Sequence, residues 1–168
     1  AECGATVIIS SRKQDACEEV VAEFKELGLK AIAIACHVGD TESRKNLVEQ
    51  TINQCGGIDI LVNNAATNPV YGPIEDASFD AFDQIMNVNL KAPWDLANKC
   101  LKSMKSRGGG SVINISSIEG EQPGFGLGLY SCSKAAISML TKNQAKEWGR
   151  HGIRVNAICP GLIQTKFS

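Results

Sequence analysis

Tyr130 and Lys134 stand four residues apart in the run Tyr130-Ser131-Cys132-Ser133-Lys134. On a helix that spacing puts a phenol and an ammonium on one face, within mutual reach. A free tyrosine titrates near pH ~10 and is a poor proton donor or acceptor at neutrality. A fixed cation beside it favours the phenolate; lowering the pKa by two to three units takes roughly 3–4 kcal/mol of differential interaction. Alone the pair means little, because Tyr-x3-Lys is commonplace on exposed helices. Its company changes the reading. Ser117 stands thirteen residues before Tyr130, just past the β-type run Ser111–Ile115. In a parallel sheet the residues beyond strand carboxyl ends face the ligand crevice, where a hydroxyl can donate to a carbonyl oxygen beside the tyrosine that protonates it. Asn89, between Val88 and Leu90, is either a fourth polar group of such a site or a satisfied core amide.

The elements that must position these groups alternate. Thr6–Ser10 reads as a strand, Lys13–Leu27 as an amphipathic helix stopped by Gly28, and Ala31–Val38 as the next strand. Asp40 or Thr41 can cap a helix running to Cys55, and Gly56–Gly57 precedes a strand at Ile58–Val62. After a loop at Pro69–Pro73, Ser78 caps a long helical region to about Arg107, with Pro93 marking a kink or a restarted turn. Then come the strand Ser111–Ile115, a glycine-rich loop, a helix from about Tyr130 to Trp148 and a last strand at Arg154–Ile158. Strands separated by helices at this spacing predict an α/β chain with βαβ crossovers and a mostly parallel sheet covered by helices on both faces.

Bulk properties narrow the partners. The 168 residues fit one domain of ordinary globular composition, 43% hydrophobic and 21% charged. A net charge of −1 gives no electrostatic case for nucleic acid or an anionic membrane. The apolar runs are too short to span a bilayer, and a secretory leader is not expected from the opening residues. Cysteines 3, 17, 36, 55, 100, 132 and 159 form no CxxC, and only His37 and His151 could add imidazoles. No metal site is therefore expected, and the cysteines read as free thiols of a reducing cytoplasm.

Asn63-Asn64-Ala65, Asn89, Ser117, Tyr130-x3-Lys134 and Pro160-Gly161 resemble, in order and spacing, the short-chain dehydrogenase/reductases. The resemblance runs over essentially the whole chain. It implies a doubly wound Rossmann-type fold and hydride transfer between a nicotinamide cofactor and a small carbonyl or alcohol substrate. Tyr130 would act as general acid in carbonyl reduction and general base in alcohol oxidation. Lys134 would lower the tyrosine pKa and bind the nicotinamide ribose, Ser117 would polarise the substrate carbonyl, and Asn89 would position a proton-relaying water. Asn63, Ala65, Pro160 and Gly161 would shape the cofactor cleft, with Ile163 and Thr165 near the carboxamide. NAD-selective sites carry an acidic residue after the first visible strand. This chain has Ser10-Ser11-Arg12 there, and Ser11 with Arg12 suits a 2′-phosphate, which favours NADP(H) over NAD(H). Two departures are evident: His37-Val38 replaces the family's usual Asp-Val at the adenine, and Ala66 replaces the glycine of Asn-Asn-Ala-Gly. A Cys-His-Val-Gly run and a Ser-Ser-Arg-Lys-Gln segment are similar to those of some carbonyl and retinol reductases of the family.

No Gly-rich phosphate turn opens the chain, and its first residues resemble the tail of the helix that follows such a turn. The Rossmann domain is therefore expected to be incomplete, lacking the first strand and Gly-rich loop, with strands Thr6–Ser10 and Ile58–Val62 each left with an open edge. A piece of this kind is expected to bind cofactor poorly and to be marginally stable. Two other activities fit the same residues: reduction of a 3-oxoacyl thioester, or a catalytically silent scaffold that keeps the fold. By resemblance, the long helix after Ser78 and the Tyr130–Trp148 helix would join subunits of a homodimer or homotetramer.

Overall fold

In the computed structural model, residues 1–163 are described. The chain forms two compact units, Ala1–Ile58 and the part from Asp59 onward.

In the first unit β1 (Val7–Ile9) and β2 (Ala31–Ala33) pair in parallel, with Val7 opposite Ala31. The helix α1 (Gln14–Glu26) connects them and buries Cys17. The helix α2 (Thr41–Cys55) follows, capped by Asp40, whose carboxylate accepts from the Ser43 N–H at 2.8 Å. Strand β2 is shorter than the predicted Ala31–Val38, and the Gln14 side chain meets its free edge at the point where it ends. That side chain accepts from the Ala35 N–H at 2.8 Å and donates to the Ala33 carbonyl at 3.4 Å. Past Ala33 the bonds toward β1 continue, Ile34 N–H donating to the Ile9 carbonyl at 3.1 Å and Cys36 N–H to the Ser11 carbonyl at 2.8 Å, while Gln14 occupies the outward-facing backbone groups.

In the second unit β3 (Ile60–Asn63), β4 (Gly110–Ile115) and β5 (Ile153–Ile158) form a parallel sheet with β4 in the centre. The register sets Asn63 opposite Asn114 and Ile115 opposite Ile158. Ser78 caps α3 (Phe79–Met86), as its position predicts, by accepting from the Ala81 N–H. The predicted kink at Pro93 takes a specific form. A π-helical turn, Asn87–Lys91, stands between α3 and α4 (Ala92–Ser106). Pro93 carries no N–H, so the Asn89 carbonyl has no α-helical donor four residues ahead, and the chain widens through the bond from Ala92 N–H to the Asn87 carbonyl. The last helix, α5 (Gly128–Trp148), packs on β4 and β5, while α4 packs on β3 and β4.

Pairing register divides the side chains of this sheet between two faces. Val112, Asn114, Ile153 and Val155 point to the face that is buried. On the opposite face Ile60, Val62 and Ile158 are each more than half exposed. Among the described residues β1 has a strand neighbour on one side only, as has β3, which matches the expectation of open edges at both. No helix among the described residues is long and apolar enough to cross a membrane. All seven cysteines are unpaired.

Candidate active site

The polar groups meet where β4 ends. Ser116 and Ser117 follow its last residue, and α5 runs back past them carrying Tyr130 and Lys134. The Ser117 hydroxyl oxygen accepts from the Glu119 N–H at 3.2 Å. Its own proton remains for the Tyr130 phenol, with which Ser117 is hydrogen-bonded in the sense that favours phenolate. Lys134 is 3% exposed. Its Nζ donates to the Ile115 carbonyl at 2.7 Å and lies 5.4 Å from the centroid of the Tyr130 ring. One of three ammonium donors is thereby used at the strand end, leaving two for a ligand.

The electrostatics differ from the sequence expectation of a depressed tyrosine. Tyr130 is held above the usual phenol pKa, chiefly by burial; the Ser117 hydrogen bond opposes this and the Glu119 charge adds to it. Burial also acts on the lysine, bringing Lys134 down to about 8 against an opposing pull from Cys159. Desolvation disfavours the charged form of each group, the phenolate in one case and the ammonium in the other.

Asn89 is buried in the π turn and acts as a three-way tie. Its Oδ1 accepts from the Thr67 N–H at 2.8 Å, and its Nδ2 donates to the Thr67 carbonyl and to Ser133 Oγ, both at 3.0 Å. It therefore joins the loop after β3 to α5 one residue before Lys134. Ser133 donates in turn to the Tyr130 carbonyl at 2.7 Å. Behind them, Ser116 donates to the Lys134 carbonyl at 2.9 Å and shares a hydrogen bond with Ser138. Sequence reasoning passed over Thr67, Ser116, Ser133 and Ser138. The available signal was the density of small hydroxyl residues on the buried side of α5, where Ser131, Ser133, Ser138 and Thr141 share a helix with Lys134.

The loop from β4 reaches α5 only because residue 120 is glycine. A Cβ there would stand 2.7 Å from the Lys134 carbonyl carbon and 2.9 Å from the Ala135 nitrogen, both backbone atoms that cannot swing aside. Gly120→Ala is expected to cost about 1–3 kcal/mol, read as a lower midpoint in urea unfolding. An unchanged midpoint would show that the loop and helix can separate at no cost.

The remaining sequence candidates fall into groups. Asn63 is 7% exposed, and its amide donates to Asn114 Oδ1 at 2.8 Å; Asn114 donates onward to Thr141 Oγ1 at 2.8 Å. The Asn63 side chain is thus occupied within the sheet, whereas Ala65 beyond it is exposed. The Pro160–Gly161 turn lies beside Ser117's neighbour, since Ile118 N–H donates to the Pro160 carbonyl at 3.0 Å. Ile163 is exposed, and Thr165 lies outside the described residues. In the first unit Ser11, Arg12, His37 and Val38 gather at the carboxyl ends of the parallel pair, where the Cys36 N–H donates to the Ser11 carbonyl at 2.8 Å. Arg12 is exposed there and makes no ion pair among the described residues. Ser11 turns its hydroxyl onto Lys13 and Cys17, and His37 offers an exposed side chain while its N–H donates to Ser43 Oγ. Between residues 68–77 and 126–129, adjacent in sequence to Tyr130, a cleft of about 350 Å³ is lined by Val70, Tyr71, Ile74, Leu127 and Leu129 together with Asn68 and Asp76.

A sequence profile described as short chain dehydrogenase matches residues 1–168. The chain belongs to that family. Dehydrogenase/reductase SDR family member 4 from Oryctolagus cuniculus is 45% identical over 168 residues, which is the whole of this chain and 65% of the relative. The Homo sapiens protein of that name is 44% identical, with 60% of its length covered. The chain thus spans about 60–65% of the length of these curated relatives. Among solved structures, a gluconate 5-dehydrogenase from Burkholderia cenocepacia in complex with NADP and tartrate superposes with a TM-score of 0.93 at 30% identity, covering 99% of this chain and 65% of that one. An NAD+-bound xylitol dehydrogenase superposes at 0.89 and 28% identity, covering 95% of this chain and 62% of that one. The chain thus has the α/β Rossmann-type fold of that family, as a partial domain with parallel sheets, and of the two solved neighbours one holds NADP and the other NAD+.

Proposed function

We propose that the protein containing this chain is an NADP(H)-dependent reductase of small carbonyl compounds, working in reverse as an alcohol dehydrogenase, and that residues 1–168 are part of one Rossmann-type domain. The observation that carries this reading is the convergence of Ser117, Tyr130 and Lys134 at the end of β4, braced by Asn89. When bound, the cofactor supplies or accepts the hydride. The chain's own residues do the rest. Tyr130 gives its phenolic proton to the carbonyl oxygen, Ser117 donates to that same oxygen and orients it, and Lys134 directs its two spare donors to the cofactor ribose. Asn89 holds the turn in which a water can hand protons on to Lys134.

The fit to a phosphorylated dinucleotide rests on Arg12, an exposed and unpaired guanidinium with no carboxylate beside it in Ser10-Ser11-Arg12. His37 and Val38 would border the adenine, with Ala65, Asn63's backbone, Pro160, Gly161, Ile163 and Thr165 on the nicotinamide side. The cleft beside Tyr130, of mixed polar and apolar lining, would take the body of the substrate. Exposed Phe82, Trp94 and Met139 support a homodimer or homotetramer in the whole protein, and the lack of paired cysteines suits a cytoplasmic setting.

The test is reduction of a panel of aldehydes and ketones by the full-length protein, followed by NADPH and NADH absorbance. NADPH should be preferred, and Arg12→Ala should lower kcat/KM for NADPH by about 10–100-fold through loss of a charge-assisted contact, with little change for NADH. Equal loss with both cofactors would remove Arg12 from the phosphate site.

A further inference from the structure

Glu119 lies two residues after Ser117 and is not among the four residues assigned to the reaction. It is half-buried, and its Oε2 accepts from the Gly124 N–H at 2.6 Å and from Ser131 Oγ at 3.2 Å. The first bond crosses the glycine-rich loop 120–128; the second lands on α5 next to Tyr130. The approach depends on residue 124 having no side chain, because a Cβ there would stand 2.8 Å from both carboxylate oxygens. A carboxylate so placed does two separable things. It closes the loop that runs along the cleft beside Tyr130, and it sets a fixed negative charge near the phenol.

Building on the reading of Tyr130 as the proton-transfer residue, we propose that Glu119 is a positioning residue that couples the closed state of loop 120–128 to the protonation of Tyr130. The charged and titratable groups acting on this centre are few among the described residues. Glu119 acts from the turn after Ser117, Lys134 from the next turn of α5, and Cys159 from the end of β5 through Lys134, while the π turn presents the neutral Asn89. The Glu119 charge opposes formation of phenolate and so works against the Ser117 hydrogen bond. Burial is the main hold on the Tyr130 proton, and the Glu119 charge adds to it while the loop is closed.

The Tyr130 phenol can be followed through its own ring carbon. In full-length protein labelled with 13C at tyrosine Cζ, the Tyr130 signal is the one lost in Tyr130→Phe. Glu119→Gln keeps a neutral acceptor for both hydrogen bonds and removes the charge; it should move the Tyr130 titration to lower pH while the loop stays resistant to limited proteolysis. Glu119→Ala should move the titration the same way and also open the loop to cleavage within 120–128. A Tyr130 titration unmoved in Glu119→Gln, or a loop as protected in Glu119→Ala as in the parent, overturns the proposal. Neither readout needs turnover, so a Tyr130→Phe protein that still reduced carbonyls would defeat the assigned chemistry and leave the Glu119 result to be judged on its own.

Discussion

Tyr130→Phe is expected to lower carbonyl reduction by about 10²–10⁴-fold, the usual worth of a positioned acid–base group. The substitution removes one oxygen and leaves the ring in its half-buried place over Lys134, so cofactor binding should persist and can be checked by fluorescence titration. The direction of the tyrosine's shift sharpens the expectation. Burial and Glu119 hold Tyr130 above the ordinary phenol pKa, so the protonated form needed for reduction persists across neutral pH. Oxidation needs the phenolate, and its rate in the parent protein should climb with pH well beyond neutrality. Lys134, at about 8, loses its charge over part of the same range, so the rise in oxidation should flatten where the ammonium is gone. A Phe variant with undiminished turnover, or an oxidation rate that falls steadily above neutrality, would show that Tyr130 is not the base.

Asn89→Ala should be the most damaging single change to the support of the site. Three hydrogen bonds disappear, and the Thr67 N–H, the Thr67 carbonyl and the Ser133 hydroxyl lose a partner in a part-buried region. Leaving polar groups unsatisfied costs about 1–3 kcal/mol each where water cannot replace the partner, and partial hydration here sets the expected total at about 2–4 kcal/mol. Denaturant unfolding of the variant should show this loss. Turnover should fall as well, because the freed Thr67 loop borders the cleft and Ser133 precedes Lys134. Asn89→Asp keeps the acceptor for Thr67 N–H and should lie between the two. A stable Asn89→Ala protein would mean that the tie is redundant.

The alternation of strands and helices was legible because apolar period and cap residues agree locally: Asp40 and Ser78 cap α2 and α3 at the predicted places. The parallel pairing and the placing of Ser117 at the end of β4 followed from spacing, and the family from the resemblance carried by Asn63-Asn64-Ala65, Asn89, Ser117, Tyr130-x3-Lys134 and Pro160-Gly161. What escaped was whatever depends on contacts distant in sequence. Gln14 bonds the outer edge of the backbone past β2 from 21 residues away, and nothing within Ala31–Val38 announces it. Pro93 signalled an irregularity, but the π turn lies on its N-terminal side because the missing N–H affects a carbonyl one turn earlier. The raised state of Tyr130 also lay beyond spacing, since burial is a property of the assembled site. Glu119 gave no sequence signal of its own; its role came from Gly124 and Ser131 meeting it in space.

The pairing of Asn63, Asn114 and Thr141 has a consequence for how the sheet is assembled. Strands β3, β4 and β5 are dominated by interchangeable valines and isoleucines, which would slide past one another at small penalty. A shift of one residue would turn Asn63 from the helix-covered face to the open one and leave Asn114 without its mate. The amide ladder thus works as a vernier. It contributes modestly to the depth of the native minimum but raises the neighbouring misaligned minima, so a nascent sheet that pairs out of step is driven to dissociate and try again.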